Sequence, residues 1–178
     1  YAGTLRERAG QLGPAEQAYR AALARLPSNV YAAGNLASLL LARGDARGAM
    51  ATLEPLLRAQ PSNPTLLRAA GSVFYTLGQL ERARDAFEGL LARGPDDGLA
   101  RYNLGLIALD RGDVTTALEQ LGRASELRPD DHRVWGNLGA ARAGRGDMKG
   151  ARAAFERALE LRPGDAIAQR ALASLPRE

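Results

Sequence analysis

The chain has 178 residues, no cysteine and a net charge of +4, so disulfide and thiolate chemistry are excluded and the redox compartment is left open. No apolar run approaches the roughly 18 to 20 uncharged residues of a membrane span, and a soluble chain is expected. The positive balance comes from arginine, Lys149 being the only lysine. The arginines mix with acids at three- and four-residue spacings, the pattern of a solvated helix face and not of a basic stripe with aromatic platforms for nucleic acid.

The first ten residues, YAGTLRERAG, read as the second half of a helix, because Gly10 stands one period before Gly44. A natural chain is not expected to begin in mid-repeat without methionine, so upstream residues are predicted. A targeting signal among them would decide between cytoplasm and periplasm. A helix follows from near Pro14, a residue suited to a first turn, to about Leu26, and Pro27 stops it. Pro27, Pro61, Pro95, Pro129 and Pro163 recur every 34 residues, as do Gly10, Gly44, Gly78, Gly112 and Gly146, and Ala15, Ala49, Ala83, Ala117 and Ala151. Such a period marks a solenoid, whose units each fail to bury an apolar face alone and must stack.

The predicted organisation is a single array over 1–178. A truncated first repeat, 1–29, precedes full repeats 30–63, 64–97, 98–131 and 132–165, and a capping helix and tail occupy 166–178. In the full repeats the first helices start near Val30, Pro64, Gly98 and His132, and the second helices follow Gly44, Gly78, Gly112 and Gly146. Asn63, Asp97, Asp131 and Asp165 are placed to cap first helices, and the turn glycines to end them in the left-handed conformation. Pro55 falls inside a second helix, where it removes a hydrogen bond at a cost of about 3 kcal/mol, so a kink or early break is expected there. A last helix is predicted from Ala166 to about Leu175, covering the end of the stack before Pro176.

Within the repeat beginning at His132, the residues Trp135, Leu138, Gly139, Ala151, Phe155 and Pro163 stand at the spacing W-x2-L-G…A-x3-F…P. By these residues the chain resembles the tetratricopeptide repeat family over its whole length. With His132 as place one, the eighth place holds Gly3, Ala37, Gly71, Gly105 and Gly139, and the twenty-fourth Tyr19, Leu53, Phe87, Leu121 and Phe155. The Trp place departs at Ala33, Leu67 and Arg101, and the usual Tyr place holds Leu40, Phe74, Ala108 and Arg142. The resemblance implies an all-α, right-handed superhelical solenoid of antiparallel helix pairs.

It also implies a concave groove lined from the second, fifth, sixth, ninth and twelfth or thirteenth places, which helical spacing sets on one face. The candidate peptide-binding residues there are Asn35, Arg68, Ser72, Tyr75, Tyr102, Asn103, Arg133 and Asn137. Asn35, Asn103 and Asn137 share the sixth place, interrupted by Ala69, and such a column of amides can bond an extended peptide backbone or, alternatively, neighbouring helices and water. Chaperone-binding relatives build a carboxylate clamp at the places of Arg68, Ser72, Asn103, Arg133 and Asn137. Ser72 and Asn137 depart from it and reduce its charge.

Arg-Gly-Asp occurs at Arg43–Asp45, Arg111–Asp113 and Arg145–Asp147, where the period explains it as helix end, left-handed cap and next N-cap. His132, the only histidine, lies beside Asp130 and Asp131 and reads as a solvated loop residue, since one imidazole supplies neither a ligand set nor an oriented base. No nucleophile set or phosphate loop is present, so no catalysis, cofactor or metal is expected of this segment. The expected role is a monomeric, non-catalytic scaffold for protein interaction, holding an extended peptide or partner helix that is acidic or ends in a free carboxylate. A self-assembling structural module and a regulatory or targeting domain of a larger enzyme are the alternatives.

Overall fold

A computed structural model describes residues 12–176 of the chain. The expectations for the opening half-helix, for Gly3 and for Gly10 lie outside the described residues. Every described element is helical. The chain divides into two compact units, Tyr1–Arg93 and Gly94–Glu178. The first holds α1 (Leu12–Arg25), α2 (Val30–Ala42), α3 (Ala46–Ala59), α4 (Pro64–Thr76) and α5 (Leu80–Leu91). The second holds α6 (Gly98–Asp110), α7 (Val114–Leu127), α8 (His132–Gly144), α9 (Met148–Leu161) and α10 (Ala166–Ser174).

Side-chain caps start most of these helices. Asn63 accepts from the amides of Thr65 and Leu66 with Pro64 at the first turn, Asp97 from Leu99 and Ala100, and Asp165 from Ile167 and Ala168. Each cap satisfies amides that no turn of helix can reach. Between paired helices the chain reverses at Gly44, Gly78, Gly112 and Gly146, with φ of 82°, 72°, 73° and 83°. At Gly112 the hydrogen bonds run from Gly112 N to Leu109 O at 3.0 Å and from Asp113 N to Ala108 O at 2.9 Å. That is the Schellman closure of α6. Asp113 then caps α7 through the Thr116 amide, and Asp45 and Asp147 do the same for α3 and α9. The three Arg-Gly-Asp triplets are interhelical turns. The turn at Gly78 lacks the acid, and Gln79 makes no side-chain cap bond.

The eighth and twenty-fourth places meet inside three of the helix pairs. A Cβ on Gly71 would stand 2.7 Å from the Phe87 ring, one on Gly105 2.5 Å from Leu121, and one on Gly139 2.8 Å from the Phe155 ring. Only a missing side chain lets each large residue seat, and each buried ring or leucine contributes about 1.5 to 3 kcal/mol. In the second unit Ala117, Leu121, Leu138 and Ala141 form one buried cluster, and Ala151, Phe155 and Ala158 form another with Ala168 of α10 and Leu175 at its end.

The expected early break at Pro55 does not occur. The helix α3 passes through Pro55 without a break, because Pro55 is exposed while Leu53 and Leu56 on either side are buried and hold the helix down. At the Trp place, hydrogen bonding accompanies packing. Trp135 Nε1 donates to the Pro129 carbonyl at 2.8 Å, Gln169 Nε2 to that of Pro163 at 2.8 Å, and Arg101 Nη2 to that of Pro95 at 3.3 Å. Three unlike residues thus tie the periodic proline to the helix that follows it.

Candidate functional site

The candidate residues fall on first helices of both units. In the first unit, Asn35 of α2 is half-buried, as are Ser72 and Tyr75 of α4, while Arg68 of α4 is exposed. Ser72 Oγ donates to the Arg68 carbonyl at 3.2 Å, a bond within its own helix. The hydroxyl keeps its lone pairs for other donors. Tyr31, one turn before Asn35, is 72% exposed.

In the second unit, α6 and α8 bring Tyr102, Arg133 and Asn137 together. The Arg133 guanidinium lies 5.8 Å from the centre of the Tyr102 ring. Asn137 Nδ2 donates to the Tyr102 hydroxyl at 3.2 Å and to the Arg133 carbonyl at 2.8 Å. Burial raises the Tyr102 hydroxyl above its ordinary pKa, against the pull of Arg133, so the proton stays on. Asn103 does not join them. It is 8% exposed, and its Nδ2 donates to the Leu99 carbonyl at 2.8 Å.

Sequence alone marks Asp131 as a cap and leaves Arg128 unmarked. Asp131 does cap α8, but it also grips two arginines: Arg133 through Nε at 3.0 Å and Nη2 at 2.8 Å, and Arg128 through Nη2 at 2.8 Å. Burial alone would raise the Asp131 carboxyl, but the hydrogen bonds from Arg133 and Arg128 overcome it and hold the group far below the usual carboxylate range. The same contact raises Arg133. The signal lay in the sequence as an acid two residues before one arginine and three after another, a spacing that is common at helix starts.

His132 is likewise no solvated loop residue. It opens α8 half-buried, with Nδ1 2.9 Å from Asp165 Oδ2 and Nε2 3.3 Å from Arg162 Nη1. A carboxylate oxygen only accepts, so Nδ1 carries the proton and Nε2 receives the arginine. The residue ties the start of α8 to the N-cap of α10. Among the described residues no group of three or more potential ligands could hold a metal ion, and no helix is long and apolar enough to cross a membrane.

Comparison with known proteins agrees with the all-α fold. A family profile described as tetratricopeptide repeat matches residues 68–132 and 102–166, and a second of the same description matches 8–72. The Protein CTR9 homolog of Arabidopsis thaliana is 33% identical over 105 residues, which make up 58% of this chain and 10% of that protein. The chain therefore spans about a tenth of that relative's length. Among solved structures, TTC0263, a thermophilic TPR protein in Thermus thermophilus, superposes with a TM-score of 0.77 at 21% identity, covering 97% of this chain and 94% of that one. The first TPR of Spaghetti (RPAP3), bound to the HSP90 peptide SRMEEVD, superposes with a TM-score of 0.59 at 21% identity over 62% of this chain and 87% of that one. With profiles matched from residue 8 to residue 166 and an all-α fold of paired helices, the chain belongs to the tetratricopeptide repeat family.

Proposed function

We propose that the chain is a non-catalytic, monomeric scaffold for protein interaction, a single array of repeats that holds an extended peptide or partner helix against the faces of its first helices. The observation that carries this reading is the gathering of Tyr102, Arg133 and Asn137 on α6 and α8, where Tyr102 packs its ring on the core while Arg133 stays exposed. A structural neighbour bound to a peptide supports the class of ligand. In the first unit Asn35, Ser72 and Tyr75 are half-buried polar groups on first helices, and exposed Arg68 favours an acidic group on a ligand.

Amides and arginines act through different physics, so their replacements should separate. Against a peptide selected on the full chain, Asn137→Ala should weaken binding by roughly 1 to 3 kcal/mol and leave its salt dependence alone. Arg68→Ala should weaken binding and also flatten the salt dependence, because ions screen charge attraction. Affinities at two salt concentrations decide the matter. If both variants bind like the parent, the ligand sits elsewhere.

A further inference from the structure

The polar atoms on α6 and α8 are matched to one kind of ligand group. Asn137 Nδ2 lies 2.8 Å from a backbone carbonyl, which can only accept, so that atom is the amide nitrogen and the side-chain orientation is fixed. Its second hydrogen goes to the Tyr102 hydroxyl. With both hydrogens engaged, Asn137 keeps only Oδ1, an acceptor, for a ligand. Tyr102 receives that bond and so turns its own O–H outward as a donor. The pair offers one donor and one acceptor side by side.

A carboxylate does not suit this pair. Its two oxygens only accept, so Asn137 Oδ1 would repel one of them. The guanidinium fork of Arg133 that would draw a carboxylate already holds Asp131 through Nε and Nη2. A peptide unit does suit it, since its N–H can donate to Asn137 and its C=O can accept from Tyr102. The interior of a helix has both groups bonded within itself, so the segment must be extended. There is room for backbone to approach, because a Cβ on Gly136 would meet nothing within 4 Å and Ala140 one turn on is exposed.

From these matched groups we infer that Tyr102 and Asn137 recognise an internal peptide unit of an extended ligand in preference to a terminal carboxylate, with the Tyr102 hydroxyl as the discriminating donor. This rests on the groove reading proposed above and narrows it.

Two random peptide libraries panned on the full chain test the inference. One displays the segment flanked by polypeptide on both sides, the other with a free C-terminus. The flanked library should enrich. The selected sequence, made as an acetylated and amidated peptide, should lose about fivefold in affinity with Tyr102→Phe, the size of one hydrogen bond, while the melting temperature holds. Ala140→Trp, which fills the face of α8, should abolish binding. Enrichment confined to the free C-terminus, or full affinity in Tyr102→Phe, overturns the inference while Ala140→Trp sensitivity keeps the groove. If Ala140→Trp binds like the parent, or neither library enriches, the groove reading falls and this inference with it.

Discussion

Gly112 and Gly139 occupy fixed places in the same repeat pattern and do opposite work. Gly112 has φ of 73° and open space where a Cβ would stand, so its requirement is conformational. Gly139 is an ordinary helical residue whose Cβ would stand 2.8 Å from the Phe155 ring, so its requirement is room. Gly139→Ala should lower stability by about 1 to 3 kcal/mol through overpacking. Adding Phe155→Leu should restore part of the loss, because the chain itself pairs Ala37 with Leu53 at these two places, both fully buried. Denaturant titration of the single and double variants checks this. Gly112→Ala has no such rescue, since no neighbour can relieve a strained φ. Both glycines are legible in the sequence, because backbone and volume constraints recur with the period. The burial of Asn103 and the grip of Asp131 on Arg133 are not, because rotamers and single hydrogen bonds leave no periodic trace.

At the level of the helix, the N-caps set the acid limit. Burial would raise the Asp165 carboxyl, but the amides of Ala168 and Ile167 and the His132 ring lower it below its ordinary value. Asp131 is lowered likewise. A carboxyl with a depressed pKa in the folded state adds stability above its unfolded value of about 4 and loses it as pH falls below that. The melting temperature should therefore drop between about pH 5 and pH 3. Asp131→Asn keeps a cap acceptor and loses the charge held by Arg128 and Arg133. It should melt lower than the parent at neutral pH and show a shallower acid dependence. A parallel displacement of the two curves across that range would mean that Asp131 does not titrate with folding. Helix starts were legible because caps and prolines announce them. The continuity of α3 through Pro55 was not, since propensity counts the lost hydrogen bond and misses the buried leucines beside it.

Across the whole molecule, the arginine excess is dispersed into short surface pairs such as Arg20–Glu16, Arg58–Glu54 and Arg157–Glu160. Exposed pairs of this kind contribute about 0 to 1 kcal/mol each, so they serve solubility more than stability. The fold rests on the alternation of small and large residues within helix pairs, which is why it reads from sequence at one period. The proposed ligand face rests on side chains that the period constrains only in part, so its places could be listed from the family pattern while its chemistry waited for the structure. Backbone amide chemical-shift mapping with a selected, capped peptide tests the central claim most directly. The account predicts that shifts in the second unit gather on α6 and α8, at Leu99, Tyr102, Leu106, Arg133, Asn137 and Ala140. Shifts gathered instead on the outer faces of α7 and α9, at residues such as Glu119, Arg123, Glu156 and Glu160, would contradict it.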